Sequence, residues 1–199
     1  MRFFNFFAKN LLFALLLFAG LHDVAEAQER DIYWGVSAGA SFPFNNGRGD
    51  DKVKFDTGFV GALQVGYLFD DVRTDFEASY SRSDLDKIGG VSVEGDLQTI
   101  RASANLYFEC NHAIFLVDCD EQIYYGGFGI GVAHQVLNDV LNDEETGLTA
   151  HGEVGISFES SRYLDLLTAF RVEWFETNLD GLDEKPLAAI FRIGTRFYY

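Results

Sequence analysis

From Ile32 the chain alternates strictly between two kinds of side chain. The even positions read Ile32, Trp34, Val36, Ala38, Ala40 and Phe42, and the odd positions read Tyr33, Gly35, Ser37, Gly39 and Ser41. Successive side chains of a β-strand point to opposite faces, so this period of two predicts an amphipathic strand with one apolar and one small or polar face. The pattern returns along the whole chain. Phe59, Leu63, Val65, Tyr67 and Phe69 share a face opposite Gly58, Ala62, Gln64 and Gly66, and Phe76, Ala78 and Tyr80 oppose Arg73, Asp75, Glu77 and Ser79. Ile100, Ala102, Leu106 and Phe108 oppose Arg101, Ser103, Asn105 and Glu109; Phe128, Ile130 and Val132 oppose Gly127, Gly129 and Gly131. Later segments set Leu148, Val154 and Phe158 against His151, Glu153 and Ser157, then Leu164, Phe170, Val172 and Trp174 against Asp165, Arg171 and Glu173. The last sets Phe191, Ile193, Thr195 and Phe197 against Arg192, Gly194 and Arg196. Leu167 and Ile190 interrupt the polar faces, and Gly61 and Gly152 thin the apolar ones.

About eight such strands are expected, each near the roughly 9–11 residues that cross a bilayer when tilted. The composition agrees with strands. The chain has 20 Phe and only 2 Pro, and Pro cannot donate to a ladder. Residues 43–56, 83–95, 135–147 and 176–186 read as long polar connections, while those near 70–72 and 159–162 are short. Alternation of long and short connections is the arrangement of outer membrane barrels. The stretch 110–121 is the exception, long where a short turn is expected.

The first residues read as a targeting segment. Arg2 and Lys9 precede an apolar run from Leu11 to Leu21, and Ala25-Glu26-Ala27 forms a small-x-small cleavage site. The expected organisation is a signal peptide over 1–27 and a barrel domain over 28–199; a retained anchor is the alternative, against which the run is short. Cys110 and Cys119 would then meet an oxidising compartment, where a local disulfide is the expected reading, with free thiols or a metal site as alternatives. The net charge of −16 argues against a nucleic-acid partner.

The direction in which the faces point decides what the barrel is. The polar faces carry both signs: Arg73, Arg101, Arg171, Arg192 and Arg196 against Asp75, Glu77, Glu153, Asp165 and Glu173. If the apolar faces meet lipid, these charges line a lumen about wide enough for side chains to fill, where arginine and carboxylate pair. The alternative is a secreted soluble barrel of the lipocalin sort with solvated charges. Small residues on the interior face and aromatics near strand ends, among them Trp34, Phe42, Tyr67, Phe69, Tyr80, Phe108, Tyr124, Phe158 and Trp174, favour the membrane form.

The opening Ile32-Tyr33-Trp34-Gly35-Val36-Ser37-Ala38-Gly39, the strand Gly127-Phe128-Gly129-Ile130-Gly131 and the closing Gly194-Thr195-Arg196-Phe197-Tyr198-Tyr199 together resemble the opacity-type family of outer membrane β-barrels, related to the membrane domain of outer membrane protein A. The resemblance implies an all-β, eight-stranded antiparallel up-and-down transmembrane barrel. It also implies that Phe191, Ile193, Phe197 and the terminal Tyr199 form the signal read by the barrel assembly machinery.

Catalytic patterns are missing. Barrel lipid A deacylases resemble a His-x-Ser pair followed by Glu, but His134 precedes Gln135 and Val136, and His151 precedes Gly152 and Glu153. His151 and Glu153 share a lumen-facing parity and are expected as a hydrogen-bonded interior pair with a structural role, a lipid-modifying enzyme being the alternative. Asp50, Asp51 and Asp56, then Asp139, Asp143, Glu144 and Glu145, then Asp180, Asp183 and Glu184 make the connections acidic. Their spacing matches no full calcium loop, so solvated charge is expected and no cofactor or metal is implied. The overall expectation is a non-enzymatic, monomeric barrel with a filled lumen or at most a narrow pore. Its expected contacts are outer membrane lipids, the assembly machinery and an external ligand or host surface at the loops.

Overall fold

The computed structural model describes residues 32–44, 53–88, 90–109, 123–138, 143–176 and 187–199. Among the described residues there are ten strands in chain order: β1 (Ile32–Pro43), β2 (Val53–Phe55), β3 (Gly58–Phe69), β4 (Val72–Ile88), β5 (Val91–Ser92), β6 (Asp96–Glu109), β7 (Ile123–Asn138), β8 (Asp143–Ser161), β9 (Leu164–Glu176) and β10 (Leu187–Tyr198). Eight of them close into a ring. β1 pairs with β3 on one side and β10 on the other, and the ladder runs β3–β4–β6–β7–β8–β9–β10, antiparallel throughout. The two short strands β2 and β5 pair with the far end of β4. Closure leaves no barrel edge with unpaired backbone groups, which a hydrocarbon environment would penalise by several kcal/mol each.

One end of the barrel carries tight turns. β3 and β4 meet through Asp70 and Asp71, with Phe69 opposite Val72, and Asp70 takes a positive φ of 48°, which Asp tolerates better than most residues. Both Ile32 and Tyr198, the ends of the first and last strands, lie at this turn end, since Tyr33 pairs with Tyr198. At the other end the strands overshoot the expected span: β4 has 17 residues, β7 has 16 and β8 has 19. Residues 83–88 and 135–138 are therefore strand rather than loop, and Asp143, Glu144 and Glu145 sit in the β8 ladder opposite Leu137, Val136 and Gln135. Only the backbone is needed to extend an antiparallel ladder, so polar side chains do not stop it. Of the other acidic residues expected in loops, Asp56 lies between β2 and β3. Asp50, Asp51, Asp139, Asp180, Asp183 and Glu184 fall outside the described residues, as do residues 1–27, Cys110 and Cys119.

The faces point as the charge argument requires. Ile130 is 67% exposed, Phe76 65% and Leu63 63%, whereas Arg196 is fully buried and Arg73 and Arg171 are 1% exposed. Gly61 and Gly152 lie on the outer face, where an added Cβ would meet nothing within 4 Å. Leu167 and Ile190, which interrupt the polar pattern, are both 3% exposed and help to fill the interior. Gly131 faces inward against the neighbouring backbone. A Cβ there would lie 2.1 Å from the carbonyl oxygen of Ala102, an atom that cannot give way without moving β6. Gly131→Val is expected to cost on the order of 1–3 kcal/mol through strain in the β6–β7 ladder, read as a lower urea midpoint.

Candidate functional site: the barrel lumen

Inward parity brings together side chains that are far apart in the chain, and they sort into layers. In the middle of the barrel, Glu77 on β4 is the hub. Its carboxylate accepts from Arg171 on β9 at 2.7 and 2.9 Å, from Arg192 on β10 at 2.5 Å, and from Arg101 on β6. Glu153 on β8 accepts from Arg171 at 2.7 Å, from Arg192 at 2.8 Å and from the Tyr125 hydroxyl at 3.3 Å. Glu173 on β9 accepts from Arg171 at 3.3 Å and pairs with Arg101. Three carboxylates thus meet three guanidiniums, and opposite walls of the barrel are tied together. Charge-assisted bonds of this kind are the strong ones, and their number is what compensates for taking six charges out of water.

A second layer lies toward the turn end. Glu109, at the end of β6, accepts from Arg196 at 2.6 Å and stands 3.0 Å from Arg73. Arg196 also donates to Ser157 at 2.6 Å and lies 3.4 Å from Asp165, which accepts from the Tyr198 hydroxyl at 2.7 Å. The Arg73 guanidinium is held over aromatic faces, 4.1 Å from the Tyr107 ring centre and 4.8 Å from that of Tyr125. Cation–π attraction strengthens when the cation is desolvated, as here. Asp75 differs from the other lumen carboxylates in having no arginine within ion-pair distance among the described residues. Its hydrogen bonds come from neutral donors, the Tyr33 hydroxyl and the Asn105 amide, both at 2.6 Å.

Toward the long-connection end the interior turns apolar. Leu97 and Leu137 are buried against each other with Phe55 of β2 packed on them, and Ala133, Phe175 and Ala188 form a further cluster. A cavity of about 20 Å³ lies among Ser41, Ser81, Ser83, Thr99, Gln135 and Glu173, with room for about one water. Among the described residues no group of three or more His, Cys, Asp and Glu is placed to hold a metal ion.

All ten charged residues singled out from the polar faces lie in these two layers: Arg73, Asp75, Asp165 and Arg196 in the turn-end layer, and Glu77, Arg101, Glu153, Arg171, Glu173 and Arg192 in the middle. One expected contact is absent. His151 and Glu153 do not hydrogen-bond to each other: Glu153 is taken by Arg171, Arg192 and Tyr125, and neither ring nitrogen of His151 has a partner. Side chains two apart on one strand can meet, as Gln98 and Asp96 do at 2.7 Å, but here the guanidiniums of Arg171 and Arg192 claim the Glu153 carboxylate. Phe191 and Ile193 face outward at 51% and 58% exposure, Phe197 is half-buried and stacked on Trp34 at 4.3 Å, and Tyr199 is 81% exposed beyond β10. The charge network expected from the sequence lacks Glu109, Tyr33, Tyr107, Tyr125, Ser157 and Tyr198, which are all buried in the lumen. Inward parity is the signal that places them there.

A closed antiparallel ring, greasy outside and ionic inside, is the form of a membrane-spanning β-barrel. Residues 11–194 match the family model described as outer membrane protein beta-barrel domain, and the chain belongs to that family. No curated protein matches the sequence. Among solved structures, Neisserial surface protein A is similar with a TM-score of 0.60 at 18% identity, covering 84% of this chain and 97% of that one. The outer membrane protein OprG of Pseudomonas aeruginosa gives 0.56 at 12% identity, covering 87% and 98%. A major outer membrane protein of Thermus thermophilus gives 0.53 at 12% identity, covering 84% and 99%. At these identities the likeness is one of fold.

Proposed function

We propose that the protein is a non-enzymatic, integral outer membrane barrel whose lumen is closed, and which works through its outer wall and its acidic surface-exposed connections. The observation that carries this reading is the Glu77 hub. Arg192 and Arg171 reach it from the opposite wall, from positions 115 and 94 residues away, so charge-assisted bonds bridge the lumen at this height. The buried Leu97–Leu137 pair with Phe55 packed on it supports the reading from the other end, because an apolar constriction dewets and opposes ion passage. The exposed belt of Phe, Leu, Ile and Val supports lipid as the main partner. Export would use a signal peptide cleaved after Ala27, and assembly would read Phe191, Ile193, Phe197 and Tyr199 on the last strand. A closed ring offers no strand edge for self-association, which favours a monomer.

Conductance decides between a closed lumen and a pore. The purified full chain, reconstituted in planar bilayers, is expected to give no large steady current. A stable open level of porin size would overturn the closed-lumen reading.

A further inference from the structure

The two ionic layers do not balance. Among the described residues the middle layer is neutral, but the turn-end layer sets Arg73 and Arg196 against Asp75, Glu109 and Asp165. Six buried lumen carboxylates therefore face five guanidiniums. Leaving one unit of charge uncompensated in so enclosed a space is costly. The unmatched group is identifiable: among the described residues Asp75 is the lumen carboxylate with no guanidinium within ion-pair distance, whereas Asp165, whose hydrogen bonds also come from hydroxyls, stands 3.4 Å from Arg196.

Asp75 lies in one row of the ladder that runs around the wall. Gly66 stands between it and Tyr33, Asn105 is its partner on β6, and Gly129 separates Asn105 from His151 on β8. Three atoms of this row have no hydrogen-bond partner although Asn105 and His151 are both 95% buried: Asn105 Oδ1, His151 Nδ1 and His151 Nε2. Asn105 Oδ1 and His151 Nε2 both border Gly129, within 2.6 Å of where its Cβ would be. The nearby Glu77, Arg101, Glu153 and Arg171 are bound to one another, and Arg73 is taken up by Glu109 and the tyrosine rings.

We propose that Asp75 holds a proton and is the neutral member of the lumen network. Half a turn of the Asn105 side-chain amide exchanges its oxygen and nitrogen. The Asp75 O–H then donates to Asn105 Oδ1, the Asn105 N–H is presented to His151 Nε2, and the Tyr33 O–H still donates to Asp75. One proton thereby balances the layers and gives partners to two of the three orphaned atoms. The separation fits as well. The 2.6 Å between Asp75 and the Asn105 amide is short for N–H···O, which spans about 2.7–3.2 Å, and ordinary for O–H···O, which spans about 2.5–3.0 Å.

The test is infrared spectroscopy of the full chain folded in alkyl maltoside micelles, which carry no ester carbonyl of their own. At neutral pH a protonated-carboxyl band is expected, shifting when the protein is labelled with carboxyl-¹³C aspartate and staying in place when glutamate is labelled instead. Asp75→Asn, whose amide donates to Asn105 as the acid does, should abolish the band and leave the urea midpoint at the wild-type value. Glu109→Gln should lower the midpoint while keeping the band. A wild-type spectrum without an aspartate-sensitive band, or an Asp75→Asn protein that retains it, overturns the proposal. The labelled wild-type spectrum decides the matter even if the variant does not fold.

Discussion

Glu77→Gln is expected to cost roughly 3–5 kcal/mol, the range for breaking a buried ion pair by removing one partner. Glu77 receives bonds from Arg101, Arg171 and Arg192, and its side chain is fully buried. An amide keeps the shape but removes the charge and offers one acceptor oxygen in place of two. Three guanidiniums are then left with Glu153 and Glu173 alone. The size of the effect follows from the proposed closed lumen, in which too little water is present to take over. Urea titration of the refolded protein in lipid vesicles, followed by heat-modifiable migration on gels, reads it directly. A loss below about 1 kcal/mol, the size of an exposed pair, would mean that the hub is hydrated and that the lumen is open to solvent.

Ile130→Arg tests the opposite face. Ile130 is 67% exposed on β7, among Phe76, Ala104 and Phe128 of the outer wall. In water an arginine there would be tolerated, since exposed substitutions usually change stability by less than about 0.5 kcal/mol. In a bilayer it meets hydrocarbon, and arginine at the midplane of a β-barrel costs roughly 2–4 kcal/mol. Val91→Arg is the control. Val91 is equally exposed at 66%, but on β5 beyond the barrel rim, where the cost should fall to about 0–1 kcal/mol. Equal, small losses at both positions would show that the belt does not lie in lipid.

Much of this architecture is legible in the chain because alternation is a local property. Whether Arg101 or Ala102 faces inward follows from the pleat of one strand and needs no knowledge of its neighbours. Strand ends were less legible. The acidic run Asp143-Glu144-Glu145 has the composition of a loop and yet pairs with β7, because ladder hydrogen bonds are made by the backbone and are indifferent to charge once the strand has left the membrane. The apolar cluster of Phe55, Leu97 and Leu137 was hidden for a related reason: two of its members lie in segments that read as loop or strand end, and the third is on a strand three residues long.

The sequence by itself determined the number of crossing strands, which side of each is greasy and which residues look into the lumen. Tertiary structure decided which inward charge meets which. Glu77 finds Arg192 across 115 positions, and His151 misses Glu153 two positions away. The reason is geometric. Parity belongs to the pleat of a single strand, whereas contacts across the lumen depend on the tilt and stagger of all eight strands, which set the height at which each side chain enters. The unmatched carboxylate of Asp75 could be identified only after those heights were known.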